Sequence, residues 1–219
     1  MGRKKRVRIK KCEALLARNA NVHHRNTENS SAMIYAMKSG NFNVVRMLES
    51  KGATVVDRSN HVTSLMNAAE SGNYYLVKWL VEEKKADVNE QMKNYYAIKS
   101  AAITGHSAII EYLVTHGANQ ESIDAALVAA TVYGHIDAIE ATLEGGANVN
   151  TQNEEGDTPI MIAAGFHWSY EFQWPEIVRT LILANADLSI KNKEGKTVMD
   201  VASYNEKIRG YLKHALEKR

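Results

Sequence analysis

The feature that most constrains this chain is a tight, glycine-centred turn that recurs four times at nearly constant spacing. It reads Ser39-Gly40-Asn41, Ser71-Gly72-Asn73, Thr104-Gly105-His106 and Tyr133-Gly134-His135, so the glycines stand 32, 33 and 29 residues apart. A run of small residues precedes each turn, as in Asn67-Ala68-Ala69 and Ala129-Ala130-Thr131, and an apolar helical stretch follows, as in Leu76-Val77-Lys78-Trp79-Leu80. Each stretch stops at Gly52-Ala53, Lys85-Ala86, Gly117-Ala118 or Gly146-Ala147. The unit is a short helix, a turn, a longer helix and a loop. No single unit can bury its own apolar face, so the units must stack on one another in a quasi-one-dimensional array. The alanine pairs let neighbouring first helices approach closely, while the Val, Ile and Leu positions of the second helices bury against the next unit.

The stretch Asn153-Glu154-Glu155-Gly156-Asp157-Thr158-Pro159-Ile160-Met161-Ile162-Ala163-Ala164, with the preceding Gly146-Ala147-Asn148-Val149-Asn150, resembles the ankyrin repeat family. The resemblance covers residues 12–219 and implies an all-α fold, a solenoid of about six stacked helix-turn-helix repeats with the first incomplete. The units run 12–25, 26–57, 58–90, 91–119, 120–152 and 153–191, followed by a polar capping repeat over 192–219. Thr158 is expected to cap the helix opened by Pro159, after a positive-φ turn at Gly156; Asn29 and Gly195 serve that turn in their own repeats. By the same resemblance, His106 and His135 hydrogen-bond neighbouring loops.

Insertions and deletions in such arrays map to loops and often to the binding face, so departures from the repeat carry the functional signal. Cys12 to Val22 reads as the second half of a repeat whose first helix is replaced by a basic arm, residues 1–11. Between Ala118 and Ala125 the loop is about four residues shorter than its counterparts, which predicts a stunted or absent finger. The largest departure is an insertion over 165–176 that holds two of the three tryptophans and two of the three phenylalanines. Its rings Phe166, Trp168, Tyr170, Phe172 and Trp174 read either as a lid folded over helix ends or as partner-binding anchors. A cage for a methylated lysine, completed by Glu171 or Glu176, is a more distant reading. By the family's habit of binding through fingers and exposed first-helix positions, Ile103, Val132 and Tyr133 form an apolar stripe beside fingers carrying Tyr95 and Glu155. That stripe is either a contact surface or packed against the shortened finger.

Chemistry is sparse. The sequence holds no phosphate-binding glycine loop, no nucleophile elbow and no metal-spaced histidines, and its single cysteine excludes a disulfide framework. An enzyme is therefore not expected, nor a cofactor, a metal or a small-molecule substrate. No run of eighteen apolar residues exists to span a membrane. The net charge of +2 hides an asymmetry: Arg3, Lys4, Lys5, Arg6, Arg8, Lys10 and Lys11 stand in the first eleven residues with no acid, and the remainder carries a net −5. Such an arm serves nuclear import, nucleic-acid phosphates or an anionic lipid surface, or is a solvated tail. The sequence reads as a non-catalytic scaffold that binds a protein partner on its concave face and through the aromatic insertion, in an intracellular, cytoplasmic setting. Localisation or nucleic-acid binding through residues 3–11 stands as the alternative, with nuclear placement following from it.

Overall fold

The computed structural model describes residues 2–165 and 174–217, the side chains of residues 2–9 and 204 excepted. Among them every regular element is helical: α1 (Gly2–Ala17), α2 (Ala32–Lys38), α3 (Phe42–Ser50), α4 (Ser64–Glu70), α5 (Tyr74–Glu82), α6 (Ala97–Thr104), α7 (Ser107–Thr115), α8 (Gln120–Tyr133), α9 (Ile136–Glu144), α10 (Pro159–Gly165), α11 (Trp174–Leu183), α12 (Val198–Val201) and α13 (Glu206–Glu217). Isolated bridges Arg25 to Ser31 and Arg58 to Thr63 mark the bases of two fingers. The chain divides into two compact units, Met1–Ser100 and Ala101–Arg219.

In the first unit α2 packs on α4, and each of these first helices packs on its own second helix, α3 or α5. Met33, Met37, Val45, Leu65, Ala68, Ala69, Leu76 and Leu80 are buried between them. In the second unit α8, α10 and α12 form one row and α7, α9, α11 and α13 the other. Ala126, Ala130, Ala163 and Ala164 are buried in the first row, where a β-carbon is the largest group that lets the axes close; Ile110, Ile139, Ile177 and Ile208 fill the second.

The recurring turn does two jobs, reversal and stitching. At Asn73 the side-chain Oδ1 accepts from the Leu76 amide (3.1 Å), capping α5, while Nδ2 donates to the Gly40 carbonyl of the preceding turn (2.8 Å). Histidine does only the second. His135 makes no cap bond to α9, but its Nε2 lies 3.0 Å from the Ile103 carbonyl oxygen. A carbonyl only accepts, so the ring carries its proton on Nε2. That imidazole also presses on Gly105, which has φ +76°, and a β-carbon there would lie 2.9 Å from the ring Nδ1.

Three local outcomes differ from sequence expectation or sharpen it. The basic segment and Cys12–Ala17 form one 16-residue helix, α1, anchored by buried Leu16, so the residues read as an arm continue a helix of the array. The finger before α8 is absent: Asn119 caps the helix directly, accepting from the Ser122 amide at 2.9 Å, and the residues left in the shortened loop are taken into the start of the 14-residue α8. Thr158 does not cap α10. Its hydroxyl is fully buried and has no hydrogen-bond partner among the described residues, whereas Thr63, at the same repeat position, accepts from the Met66 amide at 3.2 Å. Asn29 (φ 59°), Gly156 (φ 81°) and Gly195 (φ 74°) take the left-handed finger conformation expected of them.

Two substitutions test this account by urea unfolding. Gly105→Ala forces a β-carbon into the imidazole at a left-handed backbone and should cost about 1–3 kcal/mol. Thr158→Val keeps the shape and removes an unsatisfied buried hydroxyl, so it should stabilise the fold by about 1 kcal/mol; a comparable loss would show that the hydroxyl has a partner.

Candidate functional site

The candidate surface lies in the second unit, on the side of its first helices. Helix α8 buries Ile123, Ala126, Leu127, Ala130 and Thr131, and its other side carries Glu121, Ala125, Val128 and Val132. That spacing places the four in one stripe along the helix. Val132 is 38% exposed and the adjacent Tyr133 56%. Tyr133 stacks on His135 with ring centroids 6.5 Å apart, and His135 holds the Ile103 carbonyl, so half-buried Ile103 joins Val132 and Tyr133 at the C-terminal end of the stripe. The C-terminal end of a first helix is exposed in the first unit as well, at Lys38 and Ser39, so what sets α8 apart is that its exposed end is apolar.

The N-terminal end of the stripe is fastened by polar contacts. Asp124 accepts from Gln120 Nε2 (2.8 Å) and from the Asn148 amide (2.7 Å), and Gln120 also donates to the Gly146 carbonyl (2.9 Å). These bonds hold the loop leading to the next finger against the first turn of α8. At that fingertip Glu155 is exposed, and its carbonyl accepts from the Lys193 amide at 3.0 Å. Asp157 is engaged by Asn192 Nδ2 at 2.7 Å.

The structure separates the other expected contact residues. Tyr95, in the first unit, is half-buried, with the Lys99 ammonium 5.7 Å from its ring centre. It closes a two-residue turn in which Lys93 (φ 52°) and Asn94 (φ 59°) both adopt a left-handed backbone. Trp174, expected at the surface with the other insertion rings, is instead 8% exposed and buried at the start of α11. A large ring at the first position of an amphipathic helix points into the core when the next buried positions, Ile177, Val178 and Leu181, define the same inner side. Phe166, Trp168, Tyr170 and Phe172 lie outside the described residues. So do the side chains of Arg3, Lys4, Lys5, Arg6 and Arg8; Lys10 and Lys11 are exposed on α1.

In the first unit the equivalent first-helix positions are polar, with Lys38 and Glu70 paired at 3.3 Å and exposed Tyr35 accepting from Asn26 Nδ2 at 3.1 Å. Sequence reasoning missed the aromatic knot on its second helices, where Phe42 meets Trp79 edge-on at 5.1 Å and the Arg46 and Lys84 cations lie 5.6 and 4.9 Å from the indole. Lys84 and Arg46 both pair with Glu49, so one carboxylate joins the two cations that flank the indole. Among the described residues no group of three metal-ligating side chains converges, and no helix is long and apolar enough to cross a membrane. Perturbed carboxylates lie in the terminal repeat. A hydrogen bond and charge from Lys196 hold Glu194 below its ordinary pKa, and the Thr197 amide and hydroxyl do the same for Asp200.

Helix pairs in two rows and left-handed finger turns together define a helical repeat array. A family model for ankyrin repeats (three copies) matches residues 7–92, 65–153 and 126–216, and the chain belongs to the ankyrin repeat family. It is 34% identical over 93 residues to protein phosphatase 1 regulatory subunit 12A of mouse and of rat, a match spanning 42% of this chain and 8% of those relatives. The human ASB11 ankyrin repeat domain superposes with a TM-score of 0.79 at 26% identity, covering 93% of this chain and 90% of that one. A chain in the structure of the Bdellovibrio bacteriovorus predatory endopeptidase Bd0816 in complex with immunity protein Bd3460 superposes with a TM-score of 0.69 at 26% identity, covering 87% and 98%.

Proposed function

We propose that this chain is a non-catalytic scaffold that binds a protein partner through the first-helix side of its second unit, centred on Ile103, Val132 and Tyr133. The observation that carries the reading is the exposure of Val132 and Tyr133 on an apolar stripe that no finger covers. Contiguous exposed apolar surface is costly in water and marks contact sites on proteins of this size. Aromatic rings such as Tyr133 supply large contact area at little entropic cost. Membership of a repeat family supports the reading, as does likeness to a chain from a two-protein complex and, over a short segment, to a phosphatase regulatory subunit. Phe166, Trp168, Tyr170 and Phe172 would extend the surface beyond α10, with buried Trp174 anchoring the end of the insertion. The single thiol fits an intracellular, cytoplasmic setting.

A second reading concerns α1. All seven basic residues of the N-terminal segment lie on this one helix, a dense run of positive charge suited to phosphates or import machinery. Replacing Arg3, Lys4, Lys5 and Arg6 by Gln should lower the salt at which the protein leaves a heparin column and reduce nuclear accumulation of a tagged chain; unchanged behaviour in both would reduce the segment to a structural helix.

The scaffold reading is tested by affinity capture from cell lysate with wild type and the Val132→Ala/Tyr133→Ala variant, both checked by circular dichroism. A specific protein retained by wild type and lost from the equally folded variant is expected. Capture of the same set by both, or of none, would remove this surface from the function. Trp174 is unsuitable for such a test, because truncating a buried indole should cost about 3–5 kcal/mol of stability.

A further inference from the structure

From residue 100 to residue 178 the sequence contains no lysine or arginine and eleven aspartates and glutamates, although the whole chain carries 27 basic residues. Residues 101–178 of the second unit therefore carry fixed side-chain charge of one sign, and that unit's cations begin at Arg179 and continue through the terminal repeat, with Lys191, Lys193 and Lys196 on its finger. The acids are not all alike. Asp124 and Asp157 are engaged in the hydrogen bonds described above, and Asp137, Glu140 and Glu144 are exposed on the second-row helix α9. Glu121, Glu154 and Glu155 are exposed on the first-helix side, with no cation in ion-pairing range among the described residues. Glu121 belongs to the α8 stripe itself, four residues before Ala125. Glu154 and Glu155 stand on the finger preceding α10, the helix that packs on α8, and the loop to that finger is bonded to the first turn of α8.

The face thus has an apolar end, Ile103, Val132 and Tyr133, and a carboxylate end, Glu121, Glu154 and Glu155. Resting on the scaffold reading, we infer that its occupant is a basic segment of a protein partner, in which an aliphatic or aromatic anchor fills the apolar end and Lys or Arg reaches the carboxylates. Glu121 and Val132 are eleven residues apart on one helix, about 16 Å at 1.5 Å per residue. That span matches about five residues of an extended peptide between anchor and cation, or about eleven of a helix. Charge complementarity of this kind steers encounter and rejects acidic competitors, and it also argues against nucleic acid or an anionic bilayer on this face, since the exposed charges of α8 and of the finger after it are carboxylates, although Lys193 of the next finger lies beside Glu155.

The probe is a phage-displayed random dodecapeptide library panned on the full chain, with selected peptides resynthesised for fluorescence anisotropy. Selected peptides should carry net positive charge, with Leu, Ile, Val or an aromatic near Lys or Arg. Their binding should weaken about tenfold or more in Val132→Asp and in Glu121→Lys/Glu154→Lys/Glu155→Lys, and should fall as salt is raised. The triple charge reversal touches exposed residues only, so it remains informative if Val132→Asp perturbs the fold. Neutral or acidic selected peptides, no selected peptides, or affinity unchanged by the charge reversal would overturn the inference. So would a concentration-dependent dimer in sedimentation that Val132→Asp dissolves, which would give the face to a second copy of this chain. Lysate capture that depends on Val132 and Tyr133 while the library yields nothing would overturn the charge argument alone and leave the scaffold intact.

Discussion

Everything in this protein depends on the closeness with which successive first helices pack. The alanine pairs near the ends of α4, α6, α8 and α10, Ala68-Ala69, Ala101-Ala102, Ala129-Ala130 and Ala163-Ala164, are essentially fully buried, and α2 has Ala36 with buried Met37 at that place. A larger side chain there would hold neighbouring helices apart and open the polar turn between them to water. Because each repeat touches only its neighbours, such closeness is set locally and summed along the array. The stitches of the recurring turn follow from it: Asn73 can reach the Gly40 carbonyl, and His135 the Ile103 carbonyl, only when adjacent turns are brought to hydrogen-bonding distance.

That architecture leaves function to whatever the stack does not need. Core positions are spoken for by burial, and the turns by backbone geometry, so variation is free only on fingers, on the outward positions of the helices and in insertions. In the first unit the outward first-helix positions hold a Lys38–Glu70 ion pair and a hydrogen-bonded Tyr35, an ordinary solvated surface. In the second unit the loss of a finger goes with a longer α8, and the exposed end of that helix carries Val132 and Tyr133. The same unit lacks positive charge over most of its length, which gives the bared surface an electrostatic sign.

How much of this was legible from sequence follows from the range of each interaction. The turns, the alternating short and long helices and the absent finger are local, and each is visible in a window of about a dozen residues as a glycine, a small-residue run or a missing stretch. Exposure of Val132 and Tyr133 was legible in part, since helical spacing names the outward positions; whether a neighbour covers them is a matter of packing. Trp174 shows the limit. In sequence it sits among Phe166, Trp168, Tyr170 and Phe172 and shares their reading, but the helix starts on it, and its inward direction is set by Ile177, Val178 and Leu181. Thr158 shows the converse. Its sequence context reads as a helix cap, yet whether a hydroxyl finds an amide depends on shifts of tenths of an ångström that no motif encodes.

The sequence by itself determined the class of fold, the number and order of repeats, the missing finger and the polarity of the basic and acidic segments, because these rest on periodicity and composition along the chain. Only the tertiary structure decided which of the candidate residues share a surface. It carried the helix of Cys12–Ala17 back through the basic segment, drew Trp174 into the core, set Tyr95 in one unit and Val132 with Tyr133 in the other, and bonded the loop before Glu154 and Glu155 to the start of α8. The physical reason is that a repeat array repeats its backbone but not its neighbours: each side chain's exposure is settled by the residues of the adjacent repeat, about thirty positions away in the chain.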